Sequence, residues 1–149
     1  MQIIIGADHG GVELKTAIVS LVNNLGIECV DVGCYNTQAV DYPDYALLVA
    51  KRVSGGEFPY GILVCGTGIG MAIAANKVSG IRCAVANDLF SAQMSREHNN
   101  TNILALGARI LDTDLAEQIV KVWLETDFGS ADRHIQRLQK IDKIENMHH

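Results

Sequence analysis

The sequence predicts an α/β domain, a parallel β-sheet covered by helices on both faces. Short apolar, β-branched-rich runs alternate with amphipathic stretches along the chain, which is the pattern of repeated strand–helix units. Residues 60–77 compress one such unit into a single segment. There Ile62, Leu63 and Val64 read as a strand buried on both faces, and Cys65 ends it. Gly66, Gly68 and Gly70 then alternate with Thr67 and Ile69, and Met71–Asn76 supplies a helix. At 149 residues the chain is expected to form one domain, residues 1–149. A domain of that size buries roughly two-thirds of its unfolded surface.

Taken in order, Gln2–Gly6 is the first strand and Val12–Asn24 the first helix, with Leu14, Ala17, Ile18, Leu21 and Val22 facing inward. Gly26 stops that helix, and Ile27–Val32 forms the second strand. Gly33–Tyr42 is a polar connection without a clear period. Pro43 suits a first helical turn, where its missing N–H costs nothing, and Tyr45–Val53 continues as helix to Gly55-Gly56. After the Cys65 strand and its helix come a fourth strand at Arg82–Ala86, a helix at Leu89–Asn99, a fifth strand at Ile103–Leu106 and a helix at Asp112–Leu124. A final helix, Asp132–Glu145, is apolar at Ile135, Leu138, Ile141 and Ile144. Strict alternation implies a three-layer, Rossmann-like (flavodoxin-like) five-stranded sheet of order 2-1-3-4-5, with its switch point between strands one and three. The final helix follows a complete β/α unit and is not needed to cover the sheet. Residues 132–146 are therefore expected to be a dimerisation helix that buries its apolar stripe on a partner subunit.

Composition excludes several classes. The formal charge is −5, which argues against a nucleic-acid or anionic-membrane surface. No basic n-region opens the chain, and Asp8 and His9 interrupt its first apolar run, so no signal peptide is expected and the location expected is cytoplasmic. Phe58–Asn76 is uncharged, but Pro59 and four glycines break it into strand, loop and helix rather than a membrane span. The four cysteines, Cys29, Cys34, Cys65 and Cys83, form no C-x-x-C pair and no zinc-like spacing with histidine, as expected of reduced thiols. The terminal His148 and His149 are assigned no role.

In sheets of this kind ligands bind at the carboxyl ends of the strands beside the switch point. Strand one ends in Ala7-Asp8-His9-Gly10-Gly11 and strand three in Cys65-Gly66-Thr67, so both sets of reactive side chains converge on one crevice. The glycine loop is not a dinucleotide fingerprint, because Met71 stands where the third glycine belongs, and no Gly-Lys-Ser/Thr follows to make a P-loop. It instead sets a thiol at a strand end beside backbone amides and a helix N-terminus, a nucleophile or base next to an oxyanion cradle. The plainer alternatives are a turn-capping Asp8 and a core Cys65. Glu97-His98-Asn99-Asn100-Thr101-Asn102 gathers an imidazole and amides at a helix C-terminus, where they either act or simply cap. Arg133 and Arg137 stand at i and i+4, which suits a shared anion or, with Lys140, a solvated basic face. Tyr42, in Asp41-Tyr42-Pro43-Asp44-Tyr45, lines a pocket or packs.

Together with Gly6-Ala7-Asp8-His9-Gly10-Gly11, Asp41-Tyr42-Pro43, Cys65-Gly66-Thr67-Gly68-Ile69-Gly70, Ala74-Ala75-Asn76-Lys77, Ser95-Arg96-Glu97-His98-Asn99, Leu106-Gly107-Ala108-Arg109 and Arg133-His134, the chain closely resembles the ribose-5-phosphate isomerase B family over essentially its whole length. Relatives within that group act on galactose 6-phosphate or allose 6-phosphate. One branch carries a glutamate base that would fall at Met71, so this chain resembles the cysteine branch. The resemblance implies aldose–ketose isomerisation through a cis-enediolate, with no metal and no organic cofactor. It implies that His98 opens the sugar ring with Asp8 nearby, that Cys65 moves the carbon-bound proton, and that Thr67 moves a proton between oxygens. Gly66, Thr67, Gly68, Ile69 and Gly70 would bind the enediolate through their amides, Asn99 the sugar hydroxyls, and His9, Arg109, Arg133 and Arg137 the phosphate. It also implies a homodimer or dimer of dimers with shared sites, His98, Asn99 and Arg109 coming from the neighbouring chain. The alternatives are a six-carbon sugar-phosphate isomerase and a non-catalytic sugar-phosphate-binding subunit.

Overall fold

A computed structural model describes residues 1–147; His148 and His149, given no role above, lie outside the described residues. The elements are β1 (Gln2–Ala7), α1 (Val12–Asn24), β2 (Glu28–Asp31), α2 (Tyr42–Ser54), β3 (Gly61–Cys65), α3 (Ile69–Ala75), β4 (Cys83–Val85), α4 (Leu89–Glu97), β5 (Ile103–Gly107), α5 (Thr113–Glu125) and α6 (Asp132–Asn146). A single 3-10 turn, His9–Gly11, precedes α1. The helix after Cys65 begins at Ile69, two residues earlier than the apolar pattern suggests, and α2 begins at Tyr42 within the polar connection.

The five strands are all parallel, as expected of the flavodoxin-like class, but their order is β2-β1-β3-β5-β4. The expected order 2-1-3-4-5 is thus corrected at its outer end. Every residue of β5 (ILALG) is buried, as in a strand covered on both faces, whereas β4 has three residues, all partly exposed. Apolar cover favours β5 beside β3, and the short, half-wet strand becomes the edge. The switch point between β1 and β3 is unaffected.

Alternation along the strands divides the core in two. Ile3, Ile5, Ile62, Val64, Leu104 and Leu106 face α1 and α5 around the fully buried Trp123. Ile4, Leu63, Cys65, Ile103 and Ala105 face α2 and α3 around Met71. Cys65 therefore ends its strand on the side where α3 returns. Among the described residues no helix is long and apolar enough to cross a membrane.

The last helix stands apart from this sandwich. Leu138 is buried, but Ile135, Ile141 and Ile144 remain 36%, 46% and 57% exposed, so only part of the apolar stripe is covered by its own chain. The helix is tied to the edge of the sheet by Arg82 Nη1, 3.8 Å from Asp142 Oδ1, and by the Gly80 amide donating to Glu145 Oε1 at 3.0 Å. Between it and β4 runs a groove of about 760 Å³ that includes Ile81, Arg82, Ile141 and Ile144.

Candidate active site

At the carboxyl edge of the sheet, Ala7 pairs with Val64 and Cys65 pairs with Gly107, so the loops leaving β1, β3 and β5 meet. The Ala108 and Arg109 amides donate to the Cys65 and Gly66 carbonyls at 2.8 and 3.0 Å, fixing one loop on the other. Cys65 is 4% exposed, and its Sγ accepts the Gly68 N–H at 3.1 Å. Gly68 has φ +78°, a left-handed conformation that side chains resist, and this lets the loop fold back over the sulfur before α3 starts. Gly70 lies under the Tyr42 ring, so close that an added Cβ would come within 2.6 Å of it.

Asp8, Tyr42, Cys65, Gly66, Thr67, Ile69, Gly70, Ile73 and Arg109 line one open cavity of about 430 Å³. Asp8 both caps and lines: its Oδ1 accepts the Gly10 N–H at 3.0 Å while the side chain borders the cavity. The hydroxyl oxygen of Thr67 accepts the Ile69 N–H at 3.3 Å, which leaves its hydrogen free to donate. His9 lies next door against Gly10 and Thr37, and its Nδ1 accepts the Val40 amide at 3.2 Å. That bond leaves Nε2 as the nitrogen able to donate. Ile73, which the sequence does not single out, joins the wall one helical turn beyond Ile69; the i, i+4 spacing of two exposed isoleucines was its only signal.

The remaining candidates lie elsewhere. His98 and Asn99 follow α4, which runs back from the carboxyl edge to the amino edge of the sheet. There the Gly61 amide donates to the Asn102 carbonyl at 2.9 Å, at the start of the strand that Cys65 ends. The five residues of β3, four steps or about 13 Å, separate the two edges. Buried Arg96 builds this turn: it donates to the Thr101 carbonyl, to Asn100 Oδ1 at 3.0 Å and to Tyr60 Oη at 2.9 Å, and Asn100 takes φ +45° between them. Arg82 Nε donates to the Asn99 and Asn100 carbonyls at 3.0 and 3.1 Å. The start of α6 packs here, with the His134 ring stacked on His98 at 4.3 Å between centroids. Arg133 and Arg137 are exposed on the same helix, and Asn99 opens onto the groove beside β4.

One chain thus gathers Asp8, His9, Tyr42, Cys65, the 66–70 loop and Arg109 at one edge, and His98, Asn99, Arg133 and Arg137 at the other. Arg109 corrects the expectation that a neighbouring chain supplies it. Its guanidinium lies against Gly66 of its own chain, and the backbone of Arg109 is tied to Gly66 by the hydrogen bond between the loops after β3 and β5. The cysteines differ as well. Burial, with Asp31 nearby, pushes the Cys29 thiol up to about 12, and burial pushes Cys83 up to about 12. Cys34, on a connecting loop, is buried and donates to the Asn36 carbonyl at 3.4 Å.

The chain is similar to proteins of known family. The sequence model of the Ribose/Galactose Isomerase family matches residues 3–141. Ribose-5-phosphate isomerase B of Escherichia coli is 46% identical, with 97% of this chain and 96% of that protein covered. The structure of Clostridium thermocellum ribose-5-phosphate isomerase B superposes with a TM-score of 0.98 at 49% identity over 100% of both chains. A D-erythrulose-4-phosphate isomerase of Pectobacterium atrosepticum is 40% identical, covering 97% of this chain and 93% of that protein.

Proposed function

From the premise that this chain belongs to the ribose/galactose isomerase family, we propose that it interconverts ribose 5-phosphate and ribulose 5-phosphate with Cys65 as the base. One observation carries this reading: a buried sulfur, held by a backbone amide, shares a cavity with a carboxylate and a free hydroxyl hydrogen at the switch point. His98 protonates the ring oxygen as the bond from C1 to that oxygen breaks, while Asp8 takes the proton of the C1 hydroxyl. The open aldehyde results. Cys65, as thiolate, removes the proton on C2, and the electron pair moves through the C1–C2 bond onto O1 as a cis-enediolate. Thr67 carries the hydroxyl proton from O2 to O1, and the thiol returns its proton to C1, giving the ketose.

The loop is suited to the charge that develops on oxygen. Gly68 and Ile69 amides are already engaged by Sγ and by Thr67, so those of Gly66, Thr67 and Gly70 serve the oxyanion. Such donors typically contribute about 3–4 kcal/mol each to transition-state stabilisation. Arg109, His9, Arg133 and Arg137 hold the phosphate, and Tyr42 and Asn99 the sugar.

This division of labour requires two chains. His98 lies at the opposite edge of the sheet from the Cys65 of its own chain, so the proposed assembly is a homodimer, or a dimer of such dimers. In it His98, Asn99, Arg133 and Arg137 of one protomer cover the Cys65 cavity of its partner. The exposed apolar residues of α6 support the same assembly.

The test is turnover of ribose 5-phosphate followed by ketose absorbance. Binding without isomerisation would favour a non-catalytic sugar-phosphate-binding subunit. The Pectobacterium relative favours a second reading, a substrate of different length. Comparison of kcat/KM among erythrose 4-phosphate, ribose 5-phosphate, allose 6-phosphate and galactose 6-phosphate decides it. A tenfold preference for a four- or six-carbon sugar, about 1.4 kcal/mol, would move the assignment.

A further inference from the structure

His134 has no part in the chemistry above, yet it is 4% exposed and its ring lies nearly parallel to that of His98, at 4.3 Å and 20°. A buried histidine at the start of a helix whose neighbours are Arg133 and Arg137 is an unusual choice if only packing is required, since an aromatic or aliphatic ring would fill the space without a polar cost. Resting on the reading that His98 opens the ring, we propose that His134 is a positioning residue. It is the flat platform that fixes the plane of the His98 imidazole and, uncharged itself, offers a ring face to the imidazolium that ring opening uses.

The geometry carries both parts. Facing rings at this distance cannot both be cationic without strong repulsion. His98 is on the outer side, and its Nε2 lies 3.8 Å from Glu97 Oε1. His134 is on the inner side. There desolvation, His98 and the cations Arg133 and Arg137 hold it below its ordinary value, and Glu97 only partly opposes them. A neutral His134 presents its ring face to the His98 imidazolium, a favourable cation–π arrangement. His98 is thereby oriented for ring opening, while its outer face remains open to substrate.

Two measurements test this. The first is the histidine side-chain titration of the intact wild-type protein by NMR, with resonances assigned through His98→Asn and His134→Phe. His134 should stay neutral to a lower pH than an unperturbed histidine. A His134 that takes up its proton at or above the ordinary histidine value overturns the proposal, and this arm depends on no variant being active. The second is kinetic. His134→Ala should lower kcat on ribose 5-phosphate about tenfold with KM changed by less than about twofold, while His134→Phe, which keeps a flat ring, should recover to within about threefold of wild type. Equal losses in both variants, or none in either, overturn the platform. Should His98→Asn itself retain wild-type turnover, the underlying reading of His98 fails instead, which is a different result.

Discussion

The two edges of the sheet are built differently. At the carboxyl edge the Cys65 loop is held by its own chain at every step, through the Gly68 amide on the sulfur, Ala108 and Arg109 on the preceding carbonyls, and Tyr42 over Gly70. At the amino edge the backbone is equally well held, by Arg96 and Arg82, but Asn99, Arg133 and Arg137 are exposed. One edge holds an open cavity around Cys65. The other holds exposed polar side chains beside a separate groove. On the proposed reading, the difference makes a pair of chains the unit of function.

The comparison breaks most sharply at the sulfur. Cys65→Ala should lower kcat by about 100- to 10,000-fold, the usual contribution of a positioned base, and leave substrate affinity nearly unchanged. Steady-state turnover together with calorimetric binding of ribose 5-phosphate checks both parts. Retention of most of the wild-type kcat would return Cys65 to the role of a core thiol.

The two-edge arrangement itself is tested by mixing. A Cys65→Ala chain and a His98→Asn chain, each inactive, should together regain activity after subunit exchange. A random mixture holds about half hybrids, each with one intact site of two, so about a quarter of wild-type activity is expected. No recovery, with exchange proven by mass spectrometry, would mean that each site is built within a single chain.

A smaller effect distinguishes the cover from the chemistry. Arg137→Ala should raise KM about tenfold with kcat within about twofold of wild type, because a phosphate contact holds ground and transition states alike. A fall in kcat at constant KM would give Arg137 a different part.

Much of this division could be read from residues. The runs Ile3–Ile5, Ile62–Val64 and Ile103–Leu106 carried the central strands because each is apolar on both faces, and the switch point followed from their sequence. The order of the outer strands did not follow, although its cause was present: Arg82 and Asn87 flank a run of small side chains too short for the centre. Arg109 was misplaced for a different reason. Its position is set by backbone hydrogen bonds between two loops 43 residues apart, Arg109 to Gly66, which no local pattern encodes. Ring stacking between His98 and His134 was equally invisible, since it depends on how α6 docks.

The smallest expected effect concerns the thiols away from the site, and it sharpens the claim that only the carboxyl edge is chemically open. Cys29 and Cys83 are held up to about 12 by burial, helped at Cys29 by Asp31. A thiol at 12 is thiolate at pH 8 to only about one part in ten thousand, against about one in ten at the ordinary value of 9, and only the thiolate reacts. Alkylation at these two positions should therefore be roughly a thousandfold slower than at an unperturbed thiol. Cys34 and Cys65 are equally buried, but Cys34 has its S–H engaged by the Asn36 carbonyl and should be slow, whereas Cys65 borders the open cavity. Iodoacetamide at pH 8 should thus label one cysteine first, Cys65, with loss of activity in proportion and with protection by ribose 5-phosphate. Peptide mapping reads the position, and the Cys65→Ala chain should take up almost no label over the same interval. Rapid labelling of Cys29 or Cys83 without inactivation would show that the sheet opens at its edge strands, and that β2 and β4 are less firmly paired than the central strands beside them.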